Sequence, residues 1–266
     1  MRKSVGAGYA PATSRGLGVL VNLGWDVYTC RVDGRPAVIS LDLDLHDVAV
    51  SGTHPQRFHV RHALRSPREN GLPDGSENEA MYGLQDTLVE ALGADVRGIY
   101  LACLTNGGYR EHFFQLPAHA DGRAVVAKVE SGPAAGGYEL ETFAEDDPDW
   151  RYYHEFLWPD ARSMQYLMDR RVVQSLADNG DQHSVPRPVD HYVDVPDEAG
   201  GKALLAEAQA EGFSGEVERR NGRWKVHLER TDPVELEHIH GVVWGLHELA
   251  EPFGGEYDGW GCVIAK

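Results

Sequence analysis

From Arg223 to Arg230 the chain alternates strictly, with Trp224, Val226 and Leu228 on one side and Lys225, His227 and Glu229 on the other. This is the period of a half-buried antiparallel strand. Asn221-Gly222 stands immediately before it. That pair tolerates positive φ at both positions of a two-residue turn, which makes Gly215–Arg220 the hairpin partner. Asp232-Pro233-Val234-Glu235 follows, offering a side-chain cap, a proline at the first helical position and a carboxylate able to reach back. A helix is predicted from there, with Ile239, Val242, Val243, Leu246, Ala250 and Phe253 inward and Gly254-Gly255 ending it. Further strands at Val189–Val195 and Glu256–Ile264, and a helix at Glu198–Phe213 with Leu204, Leu205 and Ala208 inward, complete the order strand, helix, strand, strand, helix, strand.

The first half repeats that order without obvious residue repetition. Strands are predicted at Arg57–Leu64, Val96–Leu104, Tyr109–Leu116 and Tyr138–Phe143, with helices at Glu77–Leu92 and Asp121–Glu130. Asn106-Gly107-Gly108 supplies the central turn, and Asp33-Gly34 joins an additional leading hairpin of Asp26–Arg31 and Ala37–Leu43. The fold class is therefore α+β: two ferredoxin-like βαββαβ sandwiches, each an antiparallel sheet with helices on one face, the N-terminal one carrying an extra hairpin. Ala144–Asp149, with three aspartates and a proline, continues neither helix nor strand easily. It separates a domain over 21–145 from one over 146–266, behind a flexible segment 1–20. Between the boundary and the second sandwich, Tyr152–Trp158 is predicted as an extra strand and Arg162–Ala177 as a helix with Met164, Leu167, Met168, Val172 and Leu176 inward.

Charge restricts the partners. Of 266 residues, 42 are acidic and 25 basic, a formal net charge of −17. Most of the imbalance is in residues 146–266, with 24 acidic against 12 basic, compared with 18 and 13 in residues 1–145. Such a surface repels phosphate backbones and anionic headgroups, which makes nucleic acid an unlikely direct ligand. The leading residues lack an apolar secretory core, and no stretch approaches the roughly 18 apolar residues of a membrane span. Cys30, Cys103 and Cys262 are too scattered for a disulfide framework. A reducing, cytoplasmic location is expected.

Catalytic patterns are sparse. Glu237, His238, His240 and His247 invite a metal reading, but His240 and His247 are two turns apart where a zincin helix needs one, so they read as helix-surface histidines. His54, His59 and His62 fail similarly, the last two pointing to opposite faces of a strand. No serine lies in a GxSxG elbow, the three cysteines read as buried structural thiols, and pairs such as Asp42 with Asp44 or Asp146 with Asp147 are uninformative in so acidic a chain. With no phosphate-cradling glycine loop, no cofactor and no metal are expected. Two other functions stay open. One is an enzyme with its site between the domains, using Asp190 and His191, although adjacent residues of one strand face opposite ways. The other is weak single-strand RNA binding through Arg219, Arg220, Arg223 and Arg230.

Gly255-Glu256-Tyr257-Asp258-Gly259-Trp260-Gly261 resembles the closing motif of the ribonuclease E inhibitor B family, the B-type regulators of ribonuclease activity. Met164–Asp181 with its LADNGD ending, Val189-Asp190-His191-Tyr192 and Ala203–Phe213 extend the likeness across residues 160–264. The segment GWDVYTCRVDGRPAVISLD and the Asn70-Gly71-Leu72-Pro73 turn resemble a domain of unknown function often fused in front of that family. The resemblance implies a non-enzymatic module whose partner is a protein, a ribonuclease of the ribonuclease E type bound through its basic non-catalytic segments. Tyr257, Asp258, Gly259, Trp260, Asp190 and His191 are the candidate partner-binding residues, with Trp260 as anchor. On a regular strand Tyr257 and Trp260 point to opposite faces, while Gly259 and Gly261 allow a bulge.

Overall fold

Residues 24–47 and 52–266 are described by a computed structural model, so the predicted flexible segment 1–20 lies outside the described residues. The chain divides into two compact units that meet at Ser163 and Met164. In the first, β1 (Trp25–Val32) and β2 (Arg35–Asp42) form the leading hairpin around Asp33-Gly34, both with positive φ. Then come β3 (Gln56–Ala63), α1 (Asn78–Val96), β4 (Ile99–Asn106), β5 (Tyr109–Leu116), α2 (Gly122–Ser131) and β6 (Glu141–Asp146). The sheet order is β1-β2-β4-β5-β3-β6, and every neighbouring pair is antiparallel. Without its hairpin this is the βαββαβ sandwich expected from the element order. Leu84, Leu88 and Leu92 of α1, spaced by four, bury against Phe58, Val60, Phe114 and Leu116 of the sheet.

The second unit holds most of α3 (Ala161–Asp178), then β7 (Arg187–Val195), α4 (Glu198–Ala210), β8 (Ser214–Arg220), β9 (Arg223–Asp232), α5 (Leu236–Ala250) and β10 (Glu256–Cys262). Its sheet order, β10-β7-β9-β8, is that of the first sandwich. Two alternating sets meet under the helices: Val193, Val195, Val226 and Leu228 from the sheet, and Leu204, Ala208, Leu246 and Ala250 from α4 and α5. Both units are thus α+β sandwiches of ferredoxin-like order. Among the described residues no helix is long and apolar enough to cross a membrane.

Four expectations need correction. Tyr152–Trp158 is not a strand but a π-helical turn over Tyr152–Leu157. Its apolar residues read as alternating, yet Tyr153 and Leu157, four apart, are the fully buried pair, and the tilted rings of Tyr152 and Phe156 have centroids 4.6 Å apart. The last helix begins at Leu236 rather than Pro233, because Asp232 stays in β9 and its carboxylate takes Arg230 and His238 instead of capping. Strand β6 starts three residues later than Tyr138, whose hydroxyl is held by the buried Glu77 carboxylate. Finally, α3 is rotated from its predicted face. Its buried residues are Leu167, Asp169 and Val173, whereas Met164, Met168, Val172 and Leu176 are only half-buried. A fully buried aspartate on that helix requires partners.

Candidate functional site

Strand β10 carries the Tyr257–Trp260 motif, and its geometry rests on one irregularity. Tyr257 pairs with Val193 and Gly259 with Tyr192, so Asp258 is an extra residue opposite β7. Gly259 has φ of +129°, a conformation that favours glycine. The bulge cancels the odd spacing, and Tyr257 and Trp260 both turn toward the helices, in register with Val193 and the fully buried His191.

There they close a polar network around Asp169, which has no exposed surface. Its Oδ1 accepts from Trp260 Nε1 at 3.0 Å and from Gln165 Nε2 at 2.8 Å, and its Oδ2 from His240 Nδ1 at 2.8 Å. Gln165 continues to His247 at 3.2 Å, and the His247 ring lies 4.9 Å from that of Tyr257. The Tyr257 hydroxyl stands 2.7 Å from His191 Nδ1. Burial pushes His191 down to about 4 and Tyr257 far above the ordinary phenol range, so both are neutral at pH 7. Three of the six predicted residues, Tyr257, Trp260 and His191, thereby join β10 and β7 to α3 and α5.

The other three, Asp190, Asp258 and Gly259, belong to the opposite face of the sheet, away from α4 and α5. Across it run Asp190, Tyr192 and Asp194 on β7, Arg223, Lys225, His227 and Glu229 on β9, Glu216, Glu218 and Arg220 on β8, and Glu256 with Asp258 on β10. Among the described residues, seven carboxylates thus face three permanent cations. Lys225 is enclosed by Asp194, 3.1 Å away, and by Asp258. Burial opposes its charge, but the two carboxylates outweigh this and raise its pKa. Asp190 Oδ1 is 2.7 Å from His227 Nε2, and the His227 ring lies parallel to that of Tyr192, centroids 5.0 Å apart. The predicted arginine cluster is divided. Arg219 lies over Trp224 and Arg230 over Phe213 on the helix side, while Arg220 and Arg223 remain on the open face.

The remaining candidates disperse. Among the described residues no three metal-ligating side chains come together. His240 is not a surface histidine but 7% exposed, because Asp169 draws it inward. His238 is committed to Asp232 at 2.8 Å. In the first unit His54 contacts the Arg97 carbonyl, and His59 faces the buried Glu111 at 3.4 Å. His62 turns the other way, toward Tyr138 and His112. Cys103 is buried, whereas Cys30 and Cys262 are half-buried, against the expectation of three buried thiols. Asp147 caps the π-helical turn through the Arg151 and Tyr152 amides.

Residues 24–158, about half the chain, match the model of a family of unknown function, DUF695. The chain belongs to that family. Residues 167–262 match the model of the regulator of ribonuclease activity B. Among solved structures, an unknown protein from Galdieria sulphuraria is 16% identical over 76% of this chain and 96% of its own, with a TM-score of 0.20. A protein described as a "putative glycine cleavage system transcriptional repressor" is 11% identical over 79% of this chain and 98% of its own, with a TM-score of 0.24. No curated protein matches.

The two matched segments, in this order, are the pair indicated by the sequence motifs. The turn at Asn70–Pro73 has a structural basis: Gly71, at φ +80°, accepts from the Gly108 amide at 2.9 Å, and a Cβ there would stand 2.8 Å from the Gly107 backbone. The LADNGD ending is a helix stop. The Asp181 amide reaches back to the Leu176 carbonyl around Gly180, at φ +80°. The Asp181 carboxylate is buried against Arg187 at 2.6 Å and the Ala265 amide at 2.9 Å. Sequence reasoning missed Asp169 and Arg187, both of which interrupt apolar patterns where a buried charge must find a partner.

Proposed function

We propose that this chain is a non-enzymatic, acidic protein-binding regulator that restrains a ribonuclease of the ribonuclease E type in the cytoplasm by occupying its basic, non-catalytic segments. The observation that carries this reading is a sheet face with seven carboxylates against three cations, in the segment that matches a regulator of ribonuclease activity. Such a face attracts arginine- and lysine-rich chain and repels RNA, so a bound regulator competes with RNA for the same basic segment. A single-strand RNA reader needs basic side chains beside its aromatics. Here the one lysine beside Tyr192 is already held by Asp194 and Asp258, and Asp190 and Asp194 flank the ring along β7. Of the six candidate residues, Asp190 and Asp258 meet the partner. Gly259 shapes the strand, and Tyr257, Trp260 and His191 hold it from beneath.

The test is RNA cleavage by a full-length ribonuclease E type enzyme and by its isolated catalytic part, each with the purified full chain added. Slower cleavage by the full-length enzyme alone supports the proposal. Equal inhibition of both forms, or of neither, overturns it.

A further inference from the structure

On the open face of the second unit, Tyr192 sits in the middle strand row with His227 on one side and Gly259 on the other. The next row places Asp190 between Glu229 and Gly261. A Cβ built on either glycine meets nothing within 4 Å. Among the described residues the β10 side of Tyr192 and Asp190 is therefore lined by glycine backbone, with Lys225 reaching across to Asp258 at the Asp194 end. The side chain of Asp190 is 37% exposed, and Glu229 is exposed. A cation already uses this ring: Lys225 Nζ stands 5.8 Å from its centroid.

We infer that this face is a docking site for an arginine-rich peptide segment, whose guanidinium lies over the glycine-lined side of Tyr192 and is paired by Asp190, with Glu229 across the strand adding to the negative field. The inference rests on the proposed function for the basic character of the partner and adds the place and the preferred side chain. A guanidinium suits the site better than an ammonium because it is planar, stacks on an aromatic ring and offers forked donors to carboxylates. The two glycines supply the flat approach that a planar group needs. Any side chain at Gly261 would stand in that approach.

The experiment measures binding of fluorescein-labelled nona-arginine and nona-lysine peptides to the full chain by fluorescence anisotropy at low salt. The arginine peptide binds about fivefold or more tighter than the lysine peptide, and Tyr192→Ala removes the difference. Asp190→Asn with Glu229→Gln weakens arginine binding about tenfold, whereas Glu207→Gln with Glu211→Gln, the same charge change on and just after α4, has less than about a twofold effect. Gly261→Tyr blocks binding without changing charge, and an unchanged urea midpoint verifies its fold. Equal affinity for the two peptides, equal effects of the two double variants, or capture of an oligouridylate in place of the peptides overturns the inference. If the peptide results hold while the ribonuclease is unrestrained, the proposed function fails and the docking site stands. If the ribonuclease is restrained equally by the wild type and by Gly261→Tyr, the docking site alone fails.

Discussion

Asp169→Ala would test the network beneath β10. The substitution removes the acceptor of three donors that belong to three elements: Gln165 on α3, His240 on α5 and Trp260 on β10. A buried donor left without a partner costs about 1–3 kcal/mol. His240 bears the full penalty at 7% exposure, while Gln165 and Trp260 are half-buried and regain part of theirs from water. With one full and two partial penalties, the expected loss is about 3–5 kcal/mol. With a urea dependence of about 1 kcal/mol per molar for a unit of this size, the midpoint falls by about 3–5 M. Hydrogen exchange of peptides covering α5 and β10 along a urea series reads this unit separately from the first. Asp178→Ala is the control, since Asp178 is exposed and accepts from Gln174 on the same helix, and it should cost less than about 0.5 kcal/mol. Asp169→Asn should fall between, because its amide keeps one acceptor oxygen. If Asp169→Ala shifts the midpoint no more than Asp178→Ala, the network does not bind these elements together and the reasoning fails.

Other predictions follow from the same geometry. His191, with a pKa near 4 when folded against an ordinary 6.5, is neutral in the folded unit. The unfolded chain therefore takes up a proton that the folded one refuses between those values. Stability of the second unit should fall by about 3 kcal/mol as pH drops from 6.5 to 4, and His191→Gln should flatten this profile in urea titrations. Gly259→Ala should cost about 1–2 kcal/mol because of its backbone conformation, whereas Gly261→Ala, with no positive φ and open space, should be near neutral in thermal melts. In the first unit, Gly71→Ala should cost about 3 kcal/mol or more, since its Cβ meets backbone rather than a side chain that can move. Arg187→Met should destabilise by about 3–5 kcal/mol, leaving the buried Asp181 carboxylate without its cation.

Much of the fold was legible because it is written in local chemistry. Asn221-Gly222 and the alternation from Arg223 fix the last hairpin, and the apolar positions of α5 place it on the sheet. What escaped is what depends on distant partners. Asp169 reads as one more solvated acid until Trp260 and His240, far along the chain, are brought to it. Asp232 has every local property of a helix cap, yet Arg230 and His238 draw its carboxylate elsewhere. The spacing of Tyr257 and Trp260 signals opposite faces, and only the Asp258 bulge reverses that. The candidate residues divide between the two faces of the sheet: Tyr257, Trp260 and His191 lie under the helices, and Asp190 and Asp258 look outward.

The proposed function requires that the acidic face of the second unit recognise a basic segment of a ribonuclease. Calorimetric titration of the full chain with the isolated non-catalytic segment of a ribonuclease E type enzyme, at about 50 mM and about 300 mM salt, tests it most directly. A one-to-one complex is expected at low salt, weakened at least about tenfold at high salt and lost with Gly261→Tyr. Absence of heat at low salt, or binding unchanged by salt and by Gly261→Tyr, would contradict it.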